Sequence, residues 1–350
     1  MRTSFGGRDG SRGLRRCIHT VSPALSASMA SIASYNVQAL PIPANALYGE
    51  ASSINDAGLI AGWYTTGNIW SAVAWNAAGT QMLDLGKLAG YQSALAKGIN
   101  ASGSIVGYVL SAGFASSRAF RWTRSGGMQP LATLGGTGGI ALSINASGTI
   151  AGWASDAVGT IHAVKWTPSG TVVDLNPPGA TSEATGVNDA GDIVGFALIP
   201  PAAEHAYLWR HDGVNIDLGT LGGRHSFANG VNNNLVVVGV AERPSPQAPI
   251  AFAWAPSTGM RAITPMGPNS EAYAVSDLNR VVGKQTSSGV LGLTLFHGAA
   301  ATLPDLAPAK GPFSAATSVN RCGTAVGSSA SPQPTNGNSV PVIWRQSPCD

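Results

Sequence analysis

Residues 141–152 read Ala-Leu-Ser-Ile-Asn-Ala-Ser-Gly-Thr-Ile-Ala-Gly, with an apolar residue before the Asn and a Gly three residues after it. The same pattern recurs along the chain, with one copy that has Ser276 in place of the Asn. The Asn-equivalent positions are 55, 100, 145, 188, 232, 276 and 320, with successive differences of 45, 45, 43, 44, 44 and 44. A spacing this regular predicts a repeat architecture of seven units.

Each Asn-x-x-Gly segment is predicted to form a tight hairpin turn between two short apolar strands. The Asn side chain can hydrogen-bond to the backbone two residues on, and the Gly can adopt a positive φ at little steric cost. Leu235 and Asn279 replace the Gly in the fifth and sixth copies. Because Leu resists the left-handed conformation, we expect a shifted register at the turn near Asn234.

Each copy continues with the same features after the turn. A Gly closes the second strand, at positions 62, 107, 152, 195, 239, 283 and 327. A third strand then ends in an aromatic residue, which we expect to pack between neighbouring repeats; these residues are Trp75, Trp122, Trp166, Trp209, Trp254, Phe296 and Trp344. A fourth strand often reads Asp-Leu, as at Asp84, Asp174 and Asp217. The pattern predicts four short strands per repeat and no helix.

The two ends of the repeat region complement each other. Residues 35–40 alternate like a strand and occupy a fourth-strand position before the first copy, whereas the last copy stops after its third strand at Trp344. A ring of blades in which strand 35–40 completes the last one removes the exposed sheet edges. We therefore predict an all-β, seven-bladed β-propeller over residues 35–350. An open β-solenoid is the alternative, but it does not account for the complementary ends.

The composition is that of a turn-rich chain: of 350 residues, 45 are Gly and only 11% are charged. The net charge is +3, and the first 30 residues hold five Arg and one Asp, which leaves −1 for the rest. The repeat region therefore has no basic stripe, and nucleic-acid binding is disfavoured. No run of 18 apolar residues occurs, so no transmembrane segment is expected. No pattern specifies an oligomeric state.

Residues 1–34 lie outside the repeats and are rich in Arg, then in Ser and Ala. A basic start and small residues before a cleavage site are typical of a secretory signal, but the apolar run between them is interrupted by His19, Ser22 and Pro23. Residues 1–34 are thus either an export signal or a disordered tail, with Met29 as an alternative start.

Several third strands carry a shared motif, as in Arg118-Ala-Phe, His162-Ala-Val and His205-Ala-Tyr. These segments, together with Asp-Leu-Gly-Thr-Leu-Gly-Gly at 217–223, resemble the His-Ala-Phe signature of bacterial HAF-repeat proteins, over about residues 41–345. The resemblance implies an extracellular or periplasmic repeat protein of a family without an assigned activity. The His is present in only two copies, which excludes a His-dependent chemistry shared by every repeat.

The three cysteines are Cys17, Cys322 and Cys349. A disulfide between Cys322 and Cys349 would attach the C-terminus to the last repeat, and two free thiols are the alternative. No Ser lies in a Gly-x-Ser-x-Gly elbow, and the six His are scattered. The Gly-rich run at 134–139 aligns with connectors between repeats rather than with a phosphate loop. We expect no catalytic residue, metal or cofactor.

One aromatic pattern suggests a binding surface. The residues directly after the closing Gly are Trp63, Tyr108, Trp153 and Phe196 in the first four copies. We expect them to face the starts of the third strands across the same hairpins, at Ser71, Arg118, His162 and His205. Flat rings beside hydrogen-bond donors suit a glycan or protein ligand, whereas the alternative is that the rings merely cover strand ends.

Two function classes follow from these patterns. The first is a non-enzymatic, exported binding or scaffold module that recognises a glycan or a protein on one propeller face. The second is a hydrolase that uses acidic residues at the central channel. Because acidic residues are scarce and no catalytic motif occurs, the sequence favours the first.

Overall fold

The computed structural model describes residues 34–175, 181–200, 202–287, 289–296, 298–308, 313–331 and 339–346. By its internal contacts the chain divides into residues 1–32 and 33–350. The predictions for the leader fall outside the described residues, as does Cys349. Cys322 is exposed in the first turn of the last repeat, and its disulfide with Cys349 stays a prediction.

The described strands form seven four-stranded antiparallel sheets, here called blades 1 to 7. Blade 1 contains β2 (Tyr48–Ile54), β3 (Ile60–Thr66), β4 (Ile69–Trp75) and β5 (Met82–Asp84). Blade 2 contains β6 (Ser93–Ile99), β7 (Ile105–Leu110), β8 (Ser117–Thr123) and β9 (Gly127–Pro130). Blade 3 contains β10 (Gly135–Ile144), β11 (Ile150–Asp156), β12 (Ile161–Trp166) and β13 (Val172–Asp174). Blade 4 contains β14 (Ser182–Val187), β15 (Ile193–Ile199), β16 (Ala203–Trp209) and β17 (Asn215–Asp217).

The remaining blades repeat this order. Blade 5 contains β18 (Ser226–Val231), β19 (Val237–Ala241), β20 (Ile250–Ala255) and β21 (Gly259–Ala262). Blade 6 contains β22 (Ser270–Val275), β23 (Val281–Thr286), β24 (Val290–Phe296) and β25 (Ala299–Thr302). Blade 7 contains β26 (Ser314–Val319), β27 (Ala325–Ala330), β28 (Ser339–Gln346) and β1 (Tyr35–Ala39). Within the described residues, the short 3₁₀ helices Ala112–Phe114 and Thr264–Met266 lie in connections.

The ring is closed by the N-terminal strand. In blade 7 the strand order is β26-β27-β28-β1, and β1 pairs with β28 from Tyr35 opposite Gln346 to Ala39 opposite Val342. The first strands of successive blades contact each other, and β2 also contacts β26. This arrangement confirms the predicted seven-bladed β-propeller and is not that of an open solenoid.

The hydrophobic core lies between the blades. Each of seven buried clusters draws residues from two neighbouring blades, so every blade is held from both sides. Trp75, Trp166 and Trp344 are at most 1% exposed. Each indole N–H group donates, at 2.7–2.8 Å, to a backbone carbonyl in the connector that leads into its own blade. These three confirm the packing role predicted for the third-strand Trp residues.

Each closing glycine is required by a β-bulge in the first strand of its blade. Gly62 pairs with Ala51, and the register then moves to Ser53 opposite Ala61. A Cβ on Gly62 would overlap the carbonyl oxygen of Glu50. All seven closing glycines meet the equivalent carbonyl in this way. The reason for Gly is therefore close backbone approach rather than a positive φ.

The register shift expected near Asn234 is wrong. Leu235 adopts φ 58°, as the glycines do at this position, and its N–H donates to the carbonyl of Asn232 at 3.1 Å. The Leu235 side chain packs against the core cluster that contains Trp254. This packing offsets the cost of a left-handed Leu.

Candidate functional site

The first strands of the seven blades line one central channel with two different ends. The Asn mouth is the end surrounded by the turns that begin at Asn55 and its equivalents, with a cavity of about 220 Å³. The other end of the channel is here called the connector mouth. It lies about 16 Å from the Asn mouth, because five residues of extended strand separate the two ends. We define it by one residue of each first strand: Glu50, Leu95, Ile140, Glu183, Phe227, Glu271 and Ala315.

The Asn side chains link the blades in a ring around the Asn mouth. Each Nδ2–H group donates to the carbonyl oxygen of the equivalent residue in the next blade. The distances are 2.9 Å from Asn55 to Asn100, 3.0 Å from Asn100 to Asn145, 2.9 Å from Asn145 to Asn188, 3.2 Å from Asn188 to Asn232, 2.9 Å from Asn232 to Ser276, and 3.3 Å from Asn320 to Asn55.

The oxygen of each Asn amide has a separate task. It accepts the backbone N–H four residues on, as from Leu59 to Asn55 and from Thr149 to Asn145. The prediction of a bond two residues on is thus wrong for the general case, although Asn232 also accepts from Asn234. The six Asn residues are only 3–6% exposed, so unbonded amides would be costly here. One amide therefore both fixes its own turn and joins two blades.

Ser276 leaves the ring open between blades 6 and 7. The Ser276 hydroxyl accepts the N–H of Arg280 at 3.2 Å and so still caps the turn. Serine has no separate NH₂ group, as Asn has, that could donate to the next blade. The Arg280 guanidinium donates to the Tyr35 hydroxyl at 2.9 Å, and that hydroxyl donates to the Gly323 carbonyl at 3.3 Å. The N-terminal strand thus helps to join blades 6 and 7.

Residues at the rim of the Asn mouth also form hydrogen bonds with one another. The Asn233 amide donates to the carboxylates of Asp189 and Asp277, at 3.0 Å each. The Asp56 carboxylate accepts the N–H of Arg321 at 2.8 Å. These polar groups are hydrogen-bonded to one another, so a structural role is sufficient to explain the polar residues of the Asn mouth.

The strand register changes the expected aromatic surface. Trp63 pairs with Ala72 in the third strand and with Glu50 in the first, and Phe196 pairs in the same way with Ala206 and Glu183. Tyr108 and Trp153 lie opposite Leu95 and Ile140. The expected partners are displaced by one residue: Ser71, Arg118, His162 and His205 pair with Tyr64, Val109, Ala154 and Ala197.

A displacement of one residue places a side chain on the other face of the sheet. The arrangement of Arg118, His162 and His205 beside the aromatic rings is therefore wrong. His162 Nδ1 lies 2.8 Å from Asp174 Oδ2, and His205 Nδ1 lies 2.9 Å from Asp217 Oδ2. The His of the His-Ala-Phe motif thus pairs with the Asp of the Asp-Leu motif, across the third and fourth strands.

Glu50 is the centre of a charged group at the connector mouth. The Trp63 indole N–H donates to Glu50 Oε1 at 3.3 Å. Lys97, from the first strand of blade 2, places Nζ 3.5 Å from the same oxygen and 5.9 Å from the Trp63 ring centroid. Burial raises the pKa of the neighbouring Tyr108, with Lys97 opposing the shift.

Glu271 is also paired with a lysine, which here is its cross-strand partner Lys284 in the same blade 6. Lys284 Nζ lies 3.4 Å from Glu271 Oε2 and 5.2 Å from the Tyr273 ring centroid. The Asn229 amide donates to Glu271 Oε1 at 3.1 Å. Burial raises the pKa of Tyr273, and the Glu271 carboxylate raises it further.

Glu183 lies at the same position in blade 4 among different neighbours. Its cross-strand partner Phe196 meets Phe227 of blade 5 edge to face, with ring centroids 5.2 Å apart. His225 stacks on Phe227 at 6.4 Å. Burial raises the pKa of the Glu183 carboxyl, and the Glu204 carboxylate adds to the rise.

Sequence reasoning missed these three glutamates. Glu50, Glu183 and Glu271 each stand five residues before the Asn-equivalent position, a signal that was present in the repeat alignment. Among the described residues, no group of three or more His, Cys, Asp or Glu side chains is placed to hold a metal ion. The described part of the chain also contains no helix long and apolar enough to cross a membrane.

Comparison with known families finds no matching family model, and no curated protein matches the sequence. The HAF-repeat resemblance therefore stays a prediction.

Solved structures match the fold at low sequence identity. The β-propeller domain of the trilobed protease from Pyrococcus furiosus, which has an open velcro topology, is 9% identical with a TM-score of 0.57, covering 85% of this chain and 95% of that one. YCF48 bound to the D1 peptide is 11% identical with a TM-score of 0.51, covering 89% and 94%.

TolB from Acinetobacter baumannii is 16% identical with a TM-score of 0.49, and the match covers 68% of this chain. The chain spans 60% of the TolB chain. At these identities the two matches with TM-scores above 0.5 support the propeller fold alone. A propeller of this kind occurs both in a protease and in a protein that binds a peptide, so the fold leaves binding and hydrolysis both open.

Proposed function

We propose that this propeller is a non-enzymatic, exported binding module that takes a glycan or a protein ligand at its connector mouth. The observation that carries the proposal is the cross-strand pairing of Trp63 with Glu50 and of Phe196 with Glu183. These pairs place aromatic rings and carboxylates together at one end of the channel. Rings beside a few charged groups are the usual composition of a recognition site.

The contrast between the two mouths supports this choice of surface. At the Asn mouth the polar groups bind one another, whereas at the connector mouth no hydrogen bond to the Glu183 carboxylate is found among the described residues. Trp63, Tyr108, Trp153 and Phe196 are all half-buried there, so each keeps part of its ring accessible. Export is supported by the basic start of the leader and by the HAF-repeat resemblance.

A hydrolase is the second candidate, and Glu183 is the observation that favours it. A carboxyl whose pKa is raised by burial and by a second carboxylate, here Glu204, is suited to act as a general acid. Glu50 and Glu271 are less suited to this role, because each is already paired with a lysine.

The test is a glycan-array and peptide-array screen of residues 34–350, followed by affinity measurement. We expect Trp63→Ala to weaken binding of the selected ligand about tenfold or more, as removal of a central aromatic contact usually does. Leu278→Ala, an exposed residue on the Asn-mouth side, is the control and should bind as wild type. Unchanged binding by the Trp63 variant would refute the site, and turnover that Glu183→Gln abolishes would favour the hydrolase.

A further inference from the structure

The three glutamates of the connector mouth provide an internal comparison. Glu50 and Glu271 are each engaged by the ammonium group of a lysine, at 3.5 Å and 3.4 Å. In both cases the same ammonium lies over an aromatic ring, at 5.9 Å from Trp63 and 5.2 Å from Tyr273. A carboxylate and a ring together bind an ammonium group through charge pairing and a cation–π contact.

Glu183 has the carboxylate and the rings but no such lysine. Phe196 lies opposite Glu183 on the neighbouring strand, and Phe227 of blade 5 packs edge to face against Phe196. No Lys or Arg within the described ranges forms an ion pair with Glu183. The residue of blade 5 that corresponds to Lys97 is Asn229, whose amide points away to Glu271 and to the carbonyl of Ala272.

The basic side chains just before Phe227 in the chain, Arg224 and His225, have partners other than Glu183. His225 Nδ1 accepts the Glu204 backbone N–H at 3.2 Å and lies 3.4 Å from Glu204 Oε2, so the polar contacts of this ring nitrogen are with Glu204. The Arg224 guanidinium donates instead to the carbonyl of Ala202 at 2.6 Å. Burial raises the pKa of the Glu183 carboxyl, and the Glu204 carboxylate, a second negative charge nearby, raises it further. A ligand cation would relieve this repulsion.

We infer that the subsite formed by Glu183, Phe196 and Phe227 binds the side-chain ammonium of a lysine from a partner protein. The inference rests on the proposed binding function and names the ligand group at one position of that surface. A lysine fits because both internal precedents are lysines, whose aliphatic stem covers apolar rings while the charged end meets the carboxylate. An arginine of the partner would bring a planar guanidinium group, which neither of the two internal pairs contains.

The experiment uses the full chain and blocked five-residue peptides with one central residue. Lysine, Nε-acetyl-lysine, arginine and norleucine peptides are titrated at neutral pH, and the backbone NMR signals of Phe196 and Phe227 are followed. We expect the lysine peptide to bind about tenfold or more tightly than its acetylated form, because acetylation removes the charge-assisted bond. Glu183→Gln should remove the difference between these peptides.

A second variant fills the subsite from within. Asn229→Lys places a lysine where blade 2 has Lys97, and it should abolish lysine-peptide binding. Asn229→Met loses the same amide bonds to Glu271 and Ala272 without adding a charge, so it is the matched control and should retain binding. Thermal melting checks that each variant folds.

Three results would overturn the inference. They are equal affinity for the lysine and acetyl-lysine peptides, unchanged lysine binding by Glu183→Gln, or no binding of the lysine peptide up to millimolar concentration. The proposed function fails separately, because it depends on loss of ligand binding in Trp63→Ala. A ligand that needs Trp63 but shows no preference for lysine would retain the binding module and remove only the lysine subsite.

Discussion

At the scale of single residues, the Asn of each repeat explains why the period is so visible in the sequence. Its amide is the smallest side chain that can both accept from its own turn and donate to the next blade. Aspartate could accept but not donate, and serine caps the turn without reaching the neighbour, as Ser276 shows. One residue thus carries both the local turn and the contact between blades.

Completing the Asn ring should stabilise the fold. We expect Ser276→Asn to raise the free energy of unfolding by about 1 kcal/mol, the usual net contribution of one buried hydrogen bond. The reciprocal change Asn145→Ser keeps the turn cap and should lose about the same amount. Asn145→Ala removes both bonds and should cost more than Asn145→Ser. Denaturant midpoints would measure the series, and equal loss in the Ser and Ala variants would contradict the two separate roles of the amide.

At the scale of one blade, the bulge of the first strand determines where the side chains of the channel point. The bulge brings a carbonyl oxygen against the closing glycine, as from Ile140 to Gly152. The first bulge residue is then directed toward the channel, as for Lys97 and Tyr273. The Thr185 and Thr317 hydroxyls donate to the carbonyl of the next blade, at 2.8 Å to Ala228 and to Ala51 at 2.6 Å. The glycine is therefore part of how the connector mouth is built.

A side chain at a closing glycine should break its blade. We expect Gly152→Ala to lower the free energy of unfolding by about 3 kcal/mol, because its Cβ would overlap backbone that has no room to move. Gly139→Ala is the matched control in the same blade, since a Cβ there meets its nearest atom at an ordinary 3.6 Å. Chemical denaturation of both variants is the measurement. Equal stability of the two would show that the bulge can shift to admit a methyl group.

At the scale of the whole molecule, the ring depends on pairing between the two ends of the repeat region. Strand β1 adds backbone bonds to β28, and Arg345 donates to Gln38 at 2.6 Å across the same pair. Tyr35 also meets Arg280 at the blade 6–7 junction, where the Asn ring is open. The junction between blades that lacks the Asn hydrogen bond therefore lies beside the strand that closes the ring.

Removal of the closing strand should open the ring. A chain that begins at Pro41 leaves the outer edge of β28 unpaired, and unpaired edges associate with other strands. We expect a lower melting temperature and concentration-dependent association in sedimentation experiments. A chain that begins at Ser34 is the control and should stay as wild type in both measurements. A monomeric and equally stable chain from Pro41 would mean that β1 is dispensable for closure.

The repeat sequence predicted much of the fold but only part of the site. The period, the four strands, the buried Trp residues and the closure by residues 35–40 all follow from patterns within one repeat or from counting strands. The aromatic partners were displaced by one residue, because the loop between the second and third strands sets their register, and a difference of one residue changes which side chains share a face. The glutamates of the connector mouth were overlooked, because a Glu at one position of a repeat gives no indication of which side chains surround it, such as Lys97 of the next blade beside Glu50.

By itself the sequence determined the number of blades, their strand order and the positions of their turns, because these depend on local preferences repeated at a fixed spacing. The tertiary structure decided which groups meet across blades: the Asn ring and the different surroundings of Glu50 and Glu183. Such contacts depend on strand register and on curvature of the ring, which place residues 40 or more positions apart within hydrogen-bonding distance.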